Sequence, residues 1–356
     1  VTPGDDPSVR AIERASSQRL DEWCEQRCGE VNLLSLVEAF HLAGQLEETF
    51  IDAARRALLR HASVRDEPGM EDPSVPQELQ ILPSELQSNA VTEPRVLARV
   101  PGLFVLWKPP GWSAATVDQA VGSAQPLALK DWLQEHFGHL PIVRDEGVTF
   151  GMVHRLDRFT SGALLWAPCY RGLYEARLQF SARKVCKEYL CLVRGHLKNE
   201  LPFMIKAPIL ETESEMGMAR SIVSELGKTA MTQVMEGVNF VDVEGQHMSM
   251  LKVRIHTGRT HQIRCHLSHE AASLLEALGC SSRRHQGHPL VGDPVYGGPT
   301  PPWCSRHWLH AWKLSLVMSS GQVEVKVPLP SDLRGTLERL RPAQENEAQR
   351  LSTWGL

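Results

Sequence analysis

The chain has 356 residues, 42% of them hydrophobic and 22% charged, which is enough to bury more than one core and ordinary for a globular protein. No apolar run approaches the ~20 residues a membrane-spanning helix needs, and the 8 cysteines show no CxxC pairing, so they read as free thiols in a reducing intracellular compartment. The net charge of −4 is uneven: residues 1–90 carry 8 Arg, no Lys and 17 acids, whereas residues 250–313 carry 8 Lys and Arg against 3 acids, with 8 of the 15 His. A basic stretch of this density points to an anionic partner, nucleic acid first. The chain opens on Val1 without a signal-like start, so it is read as a processed form or a piece of a longer protein.

Residues 18–62 read as helical. In "EVNLLSLVEAFHLAGQLEETFIDAARRALLRHA", Leu33, Leu36, Val37 and Phe40 share one helical face. Beyond a break near Gly44, Phe50, Ile51, Ala54 and Leu58 form a second. Such a pair cannot bury its own apolar face, so it either packs on the rest of the chain or ends a helical-repeat array. Its acidity argues against RNA binding and for a protein partner or scaffold. Residues 1–65 are taken as this helical segment and 66–95, rich in Pro and acids, as a linker. The main domain spans 96–335, with a C-terminal tail at 336–356.

From residue 96 the pattern changes. Leu103–Trp107 reads as a strand that breaks at Pro109-Pro110-Gly111, and "ALKDWLQEHFG" reads as an amphipathic helix. Met152–Leu156 and Ala163–Ala167 read as strands flanking a loop, and "RGLYEARLQFSAR" as a helix. "KVCKEYLCLVRG" alternates, with Lys187, Tyr189 and Cys191 on one face. Leu251, Val253 and Ile255 alternate likewise before a turn at Thr257-Gly258 and a helix that Thr260 would cap. "LHAWKLSLVM" and "QVEVKVPLP" supply closing strands. The fold expected is α+β: a mixed, mainly antiparallel sheet with flanking helices, preceded by a small helical segment.

"GMVHRLDRFTSGALLWAP" sets Asp157 at the tip of the loop between Arg155 and Arg158. In isolation this is as readily a surface ion pair as a carboxylate held ionised for chemistry. Context separates the two readings. "LWKPPGW" (106–112), "HRLDRFTSG" (154–162), "KEYLCLVRG" (187–195) and "TGRTHQIRCHL…HPLVGDPVYG" (257–297) follow one another in order. The series resembles the RluA-type pseudouridine synthases from about Leu103 to Pro328, and "GKTAMTQVM" and "RHWLHAWKL" fit the same pattern.

The resemblance implies an isomerase that converts a uridine of rRNA, tRNA or mRNA to its C5-linked form, without metal or cofactor. It makes Asp157 the essential carboxylate, which either attacks the nucleotide or withdraws a ribose proton. Tyr189 would stack on the base and assist proton removal at C5, and Arg264 would pair with Asp157 and keep it anionic. A uridine inside a stem must be flipped out; Arg155 is long and planar enough to fill the space it leaves. Arg158, Lys187, Arg259 and Lys108 are candidates for phosphate contacts, and His261 and Gln262 complete the expected RNA-binding set. The alternative is an inactive RNA-binding or assembly factor that keeps the fold.

Cys265, His266, His269, Cys280, His285, His288, Cys304 and His307 raise the question of zinc, but their spacings match no closed ligand set, so no metal is expected. The chain departs from the family in an insertion near 268–286, read as an extended helix and a basic loop with Arg283 and Arg284. It departs again at Phe159, where the family often carries a polar residue.

Overall fold

The computed structural model describes residues 17–26, 30–66, 92–114, 127–197, 201–213, 219–268, 287–297 and 300–354. Most of the expected linker, and the insertion with Arg283 and Arg284, lie outside the described residues. Among the described residues three helices come first: α1 (Ser17–Gln26), α2 (Glu30–Leu42) and α3 (Glu48–Arg65). The next elements are β1 (Arg95–Val100), β2 (Leu103–Lys108), α4 (Leu129–Phe137), β3 (Ser161–Trp166), α5 (Tyr170–Ser181) and β4 (Cys186–Arg194). Then come β5 (Phe203–Lys206), β6 (Ile209–Glu213), β7 (Ala219–Val223), β8 (Met231–Asp242), β9 (His247–Ile255) and α6 (Gln262–Leu267). The chain closes with β10 (Leu309–Met318), β11 (Gly321–Lys326), α7 (Ser331–Leu337), β12 (Leu340–Pro342) and α8 (Glu345–Ser352).

One sheet runs in the order β1-β2-β3-β10-β4-β9-β8-β12, with β11 added on β10 and β5 on β8, while β6 and β7 form a separate hairpin. β3 and β10 are parallel and their neighbours antiparallel, so the mixed, mainly antiparallel α+β expectation holds. Alternate residues of β4 enter different clusters. Tyr189, Cys191 and Val193 join the larger core. Leu190 and Leu192 join a second, with Trp308, Trp312, Leu333 and Trp354. The sheet centre is therefore covered on both faces.

The second layer comes partly from the segment expected as a tail. β12 pairs with β8, Glu347 of α8 accepts from Asn239 N at 3.1 Å, and Trp354 is buried. Residues 340–354 are part of the domain, because they cover apolar side chains that the sheet would otherwise leave in water.

The N-terminal helices pack on the main domain. α3 buries Phe50, Ile51, Ala53, Ala54, Ala57, Leu58 and Ala62, and α2 and α3 both lie against α5. Arg65 donates to Tyr174 Oη at 2.7 Å and pairs with Asp145. The Asp66 carboxylate accepts the N–H groups of Tyr170 (2.8 Å) and Arg171 (3.0 Å) at the start of α5, supplying the acceptor that its N-cap Cys169 lacks. Of the two arrangements open to an amphipathic helix pair, packing on the rest of the chain is the one found.

Two local expectations are corrected. Met152–Leu156 is not a strand beyond an isolated bridge from Met152 to Trp166. Leu165 N–H donates to His154 Nε2 at 3.1 Å, so a side chain takes the place of a ladder carbonyl. Thr260 does not cap α6: His261 holds that position in a left-handed conformation (φ 53°), while Gln262 Oε1 accepts Arg259 N at 3.1 Å. Gly162 (φ 127°) serves packing, since a Cβ there would meet Ala311 O of β10 at 2.3 Å.

Candidate active site

Asp157 sits in a tight turn closed by Thr160 N–H donating to Asp157 O at 3.0 Å. The turn is pinned on two sides. Arg306, itself nearly buried, donates to Phe159 O at 2.8 Å and Ser161 Oγ at 3.1 Å while pairing with Asp332. On the other side Arg158 O accepts both Gly111 N–H and Lys108 Nζ at 2.9 Å. The carboxylate is thus fixed by its backbone, and it opens into a cleft of about 210 Å³.

Facing it is Arg264 of α6. Its Nη1 donates to Asp157 Oδ2 at 3.2 Å, while Nε and Nη2 grip both oxygens of Asp293 at 2.7 and 2.9 Å. Asp293 is fully buried and also accepts Val295 N–H at 2.9 Å and Tyr296 N–H at 3.3 Å. The guanidinium is therefore held as a fork by one carboxylate and offers its remaining edge to the other. Burial pushes the Asp157 carboxyl up, but His261, Arg264 and His307 and the Arg264 hydrogen bond outweigh it, and the group lies below its ordinary value. It stays ionised at neutral pH.

Tyr189 of β4 lines the same cleft. Burial, then the negative charge of Asp157, pushes its phenol up. It presents a ring and a protonated hydroxyl, not a phenolate. Arg155 is exposed and lines the cleft beside Asp157, as do Arg259 and His261. His261 Nδ1 lies 3.3 Å from Tyr296 Oη. That hydroxyl donates to Ser221 O at 2.9 Å and accepts Ser221 N–H at 2.7 Å, which ties the β6–β7 hairpin to the site. The turn and α6 thus bring Asp157, Tyr189, Arg264, Arg155, Arg259 and His261 together.

Four expected RNA contacts have other work. Lys108 is fully buried and donates to Pro109 O, Trp112 O and Arg158 O at 3.0, 2.8 and 2.9 Å, clamping the Pro-Pro-Gly turn against the Asp157 loop. Lys108→Met is expected to cost about 2 kcal/mol by leaving buried carbonyls unpaired and to leave the salt dependence of RNA binding unchanged. Urea unfolding and binding titrations check both. Arg158 turns back to donate to Gly111 O at 3.1 Å. Gln262 touches the cleft wall but is spent on Thr257, Arg259, Met231 and Thr232.

Lys187 is buried, with Nζ 3.5 Å from Thr257 O and over the Phe180 ring. Burial, then the charges of Arg183 and Arg259, bring it down to about 8 from 10.5. Because the folded value is the lower one, the unfolded chain holds the extra proton between those two values, and stability rises with pH across that window. Lys187→Met is expected to be more stable at pH 7 by about 2 kcal/mol and to flatten that rise in denaturation series.

The sequence reading passed over Asp293, Tyr296 and Arg306, although each stands in a quoted block. It also passed over Thr160, whose Oγ1 lies 2.9 Å from His307 Nε2. Burial pushes His307 down to about 3, so its ring is neutral. The side chain of Phe159 is exposed, 45% of its surface open. Among the described residues no group of three or more His, Cys, Asp and Glu could hold a metal ion, and no helix is long and apolar enough to cross a membrane. His266 is engaged by Thr232 and Ala207 and His288 by Arg194; His269, Cys280 and His285 lie outside the described residues.

A mixed sheet thus carries a pinned carboxylate, an arginine from a distant helix and a buried tyrosine at one cleft. Residues 103–269 match the family model described as RNA pseudouridylate synthase, and through this region the chain is similar to that family. Over 210 residues it is 33% identical to ribosomal large subunit pseudouridine synthase D of Nitrosomonas europaea, covering 56% of this chain and 54% of that one. It is 31% identical over 211 residues to the Escherichia coli protein of the same name, covering 54% and 56%. The chain spans about half the length of these curated relatives. Human RNA pseudouridylate synthase domain containing 1 shares the fold, with a TM-score of 0.50 and 24% identity over 74% of this chain and 96% of that one.

Proposed function

We infer that the chain is an RNA pseudouridine synthase, with ribosomal RNA the substrate class its named relatives favour. The observation that carries this reading is the Asp157–Arg264–Asp293 arrangement: an ionised carboxylate aimed into the cleft by a guanidinium that is itself held. In the reaction the C1′–N1 bond of a uridine breaks, the uracil turns, C5 bonds to C1′, the C5 proton leaves to water, and N1 takes up a proton from water. Asp157 drives bond breaking as an anion, either by attacking the nucleotide or by taking a ribose proton. Tyr189 offers its ring to the displaced uracil. Arg155 fills the space left in the RNA stack, whose opening costs a few kcal/mol. Arg259 and His261 meet the strand at the rim.

The 8 cysteines, without CxxC pairing in the sequence, favour a reducing intracellular compartment. A protein partner for the N-terminal helices would meet their outer faces, because the apolar stripe of α3 is already covered.

RNA transcribed with uridine tritiated at C5 tests the chemistry, since only loss of that proton frees tritium to water. Ribosomal transcripts incubated with the chain are expected to release it. A chain that binds these RNAs and releases none is a binding factor that keeps the fold.

A further inference from the structure

Three cations crowd the rim of the cleft beside the N-terminal helices. Arg183 follows α5 in a left-handed conformation (φ 56°), Arg259 follows β9 and lines the cleft, and Lys187 lies buried close by. The side chains of Arg183 and Arg259 are only 13% and 17% exposed. The carboxylate that meets both is Glu38 of α2, which pairs with Arg183 and accepts Arg259 Nη2 at 3.2 Å. One carboxylate thus answers two guanidinium groups, with the Lys187 charge close to both, and the buried Nε of Arg183 makes no hydrogen bond.

Glu38 is 33% exposed, while its helix is anchored by Leu33, Val37 and Phe40, all buried. The carboxylate can therefore swing to water without unpacking α2. An RNA phosphodiester offers guanidinium groups the same paired-oxygen geometry as a carboxylate. We propose that Arg183 and Arg259 form a phosphodiester site at the rim of the cleft, and that Glu38 fills this site until RNA displaces it. The inference rests on the proposed function, since the phosphodiester belongs to the substrate strand. It makes the acidic helical segment a part of the RNA face, setting affinity through one side chain.

The test uses the full chain, a fluorescein-labelled RNA stem-loop with a loop uridine, and a KCl series. Glu38→Gln keeps size and removes charge. It is expected to bind about 3- to 10-fold tighter at low salt, with a log–log salt slope steeper by about 1. Glu25→Gln removes the same charge from the exposed pair with Arg60 and is expected to change neither quantity. Arg183→Gln is expected to weaken binding by a similar factor and to abolish the gain from Glu38→Gln. A folded Glu38→Gln chain with wild-type or weaker affinity overturns the site, and so does an Arg183→Gln chain that binds as wild type. A wild-type chain that neither binds the stem-loop nor releases tritium overturns the proposed function itself, an outcome distinct from these.

Discussion

Asp157→Asn is expected to lower pseudouridine formation by at least about 10⁴-fold, because the proposed reaction needs that anion to drive cleavage of the C1′–N1 bond. RNA affinity is expected to stay within about twofold, since phosphate and base contacts, not the carboxylate, supply it. The fold survives because Arg264 keeps both bonds to Asp293 and the asparagine oxygen can still accept from Nη1. The variant differs in acid. In the wild type the folded carboxyl titrates below its ordinary 3.8, so its contribution to stability is present above that value and is lost as pH falls through the folded one. Asp157→Asn removes that acid-labile part, which thermal unfolding at a series of low pH values will show. Loss of product together with loss of folding would remove the assigned role.

Arg264→Met is expected to be the most destabilising single change at the site. It strands Asp293, with no surface open to water, beside Asp157, and breaking a buried pair by removing one partner costs about 3–5 kcal/mol. Arg264→Lys restores the charge but not the fork that spans two carboxylates, so it recovers little of either stability or rate. Adding Asp293→Asn to Arg264→Met relieves the stranded charge and is expected to regain part of the stability without regaining activity. Urea unfolding of the three variants separates these outcomes. An Arg264→Met chain as stable as wild type would show that the two carboxylates do not depend on it.

The pairing of Asp157 with Arg264, 107 positions along the chain, was legible because both stand in ordered blocks that resemble one family. Composition alone does not join them. The cations were read less well, because residue type does not say which way a lysine points. Lys108 and Lys187 are basic residues in a basic half of the chain, yet one clamps a turn and the other lies under Phe180. Alternation in β4 put Lys187, Tyr189 and Cys191 on one face. The strand is covered on both because Trp308, Trp312 and Trp354 arrive from far along the chain. His154 shows the limit most plainly: its neighbours have strand-like spacing, but its ring takes the bond a strand would make. Asp293 was hidden in a block read as a whole, and only its burial and its hold on Arg264 reveal what it does.

Mapping pseudouridine across total RNA from cells with and without this protein tests the central claim most directly. Discrete uridines are expected to lose their modification in its absence, to regain it with the wild-type chain and to remain unmodified with Asp157→Asn. Identical maps in all of these cells would contradict the account.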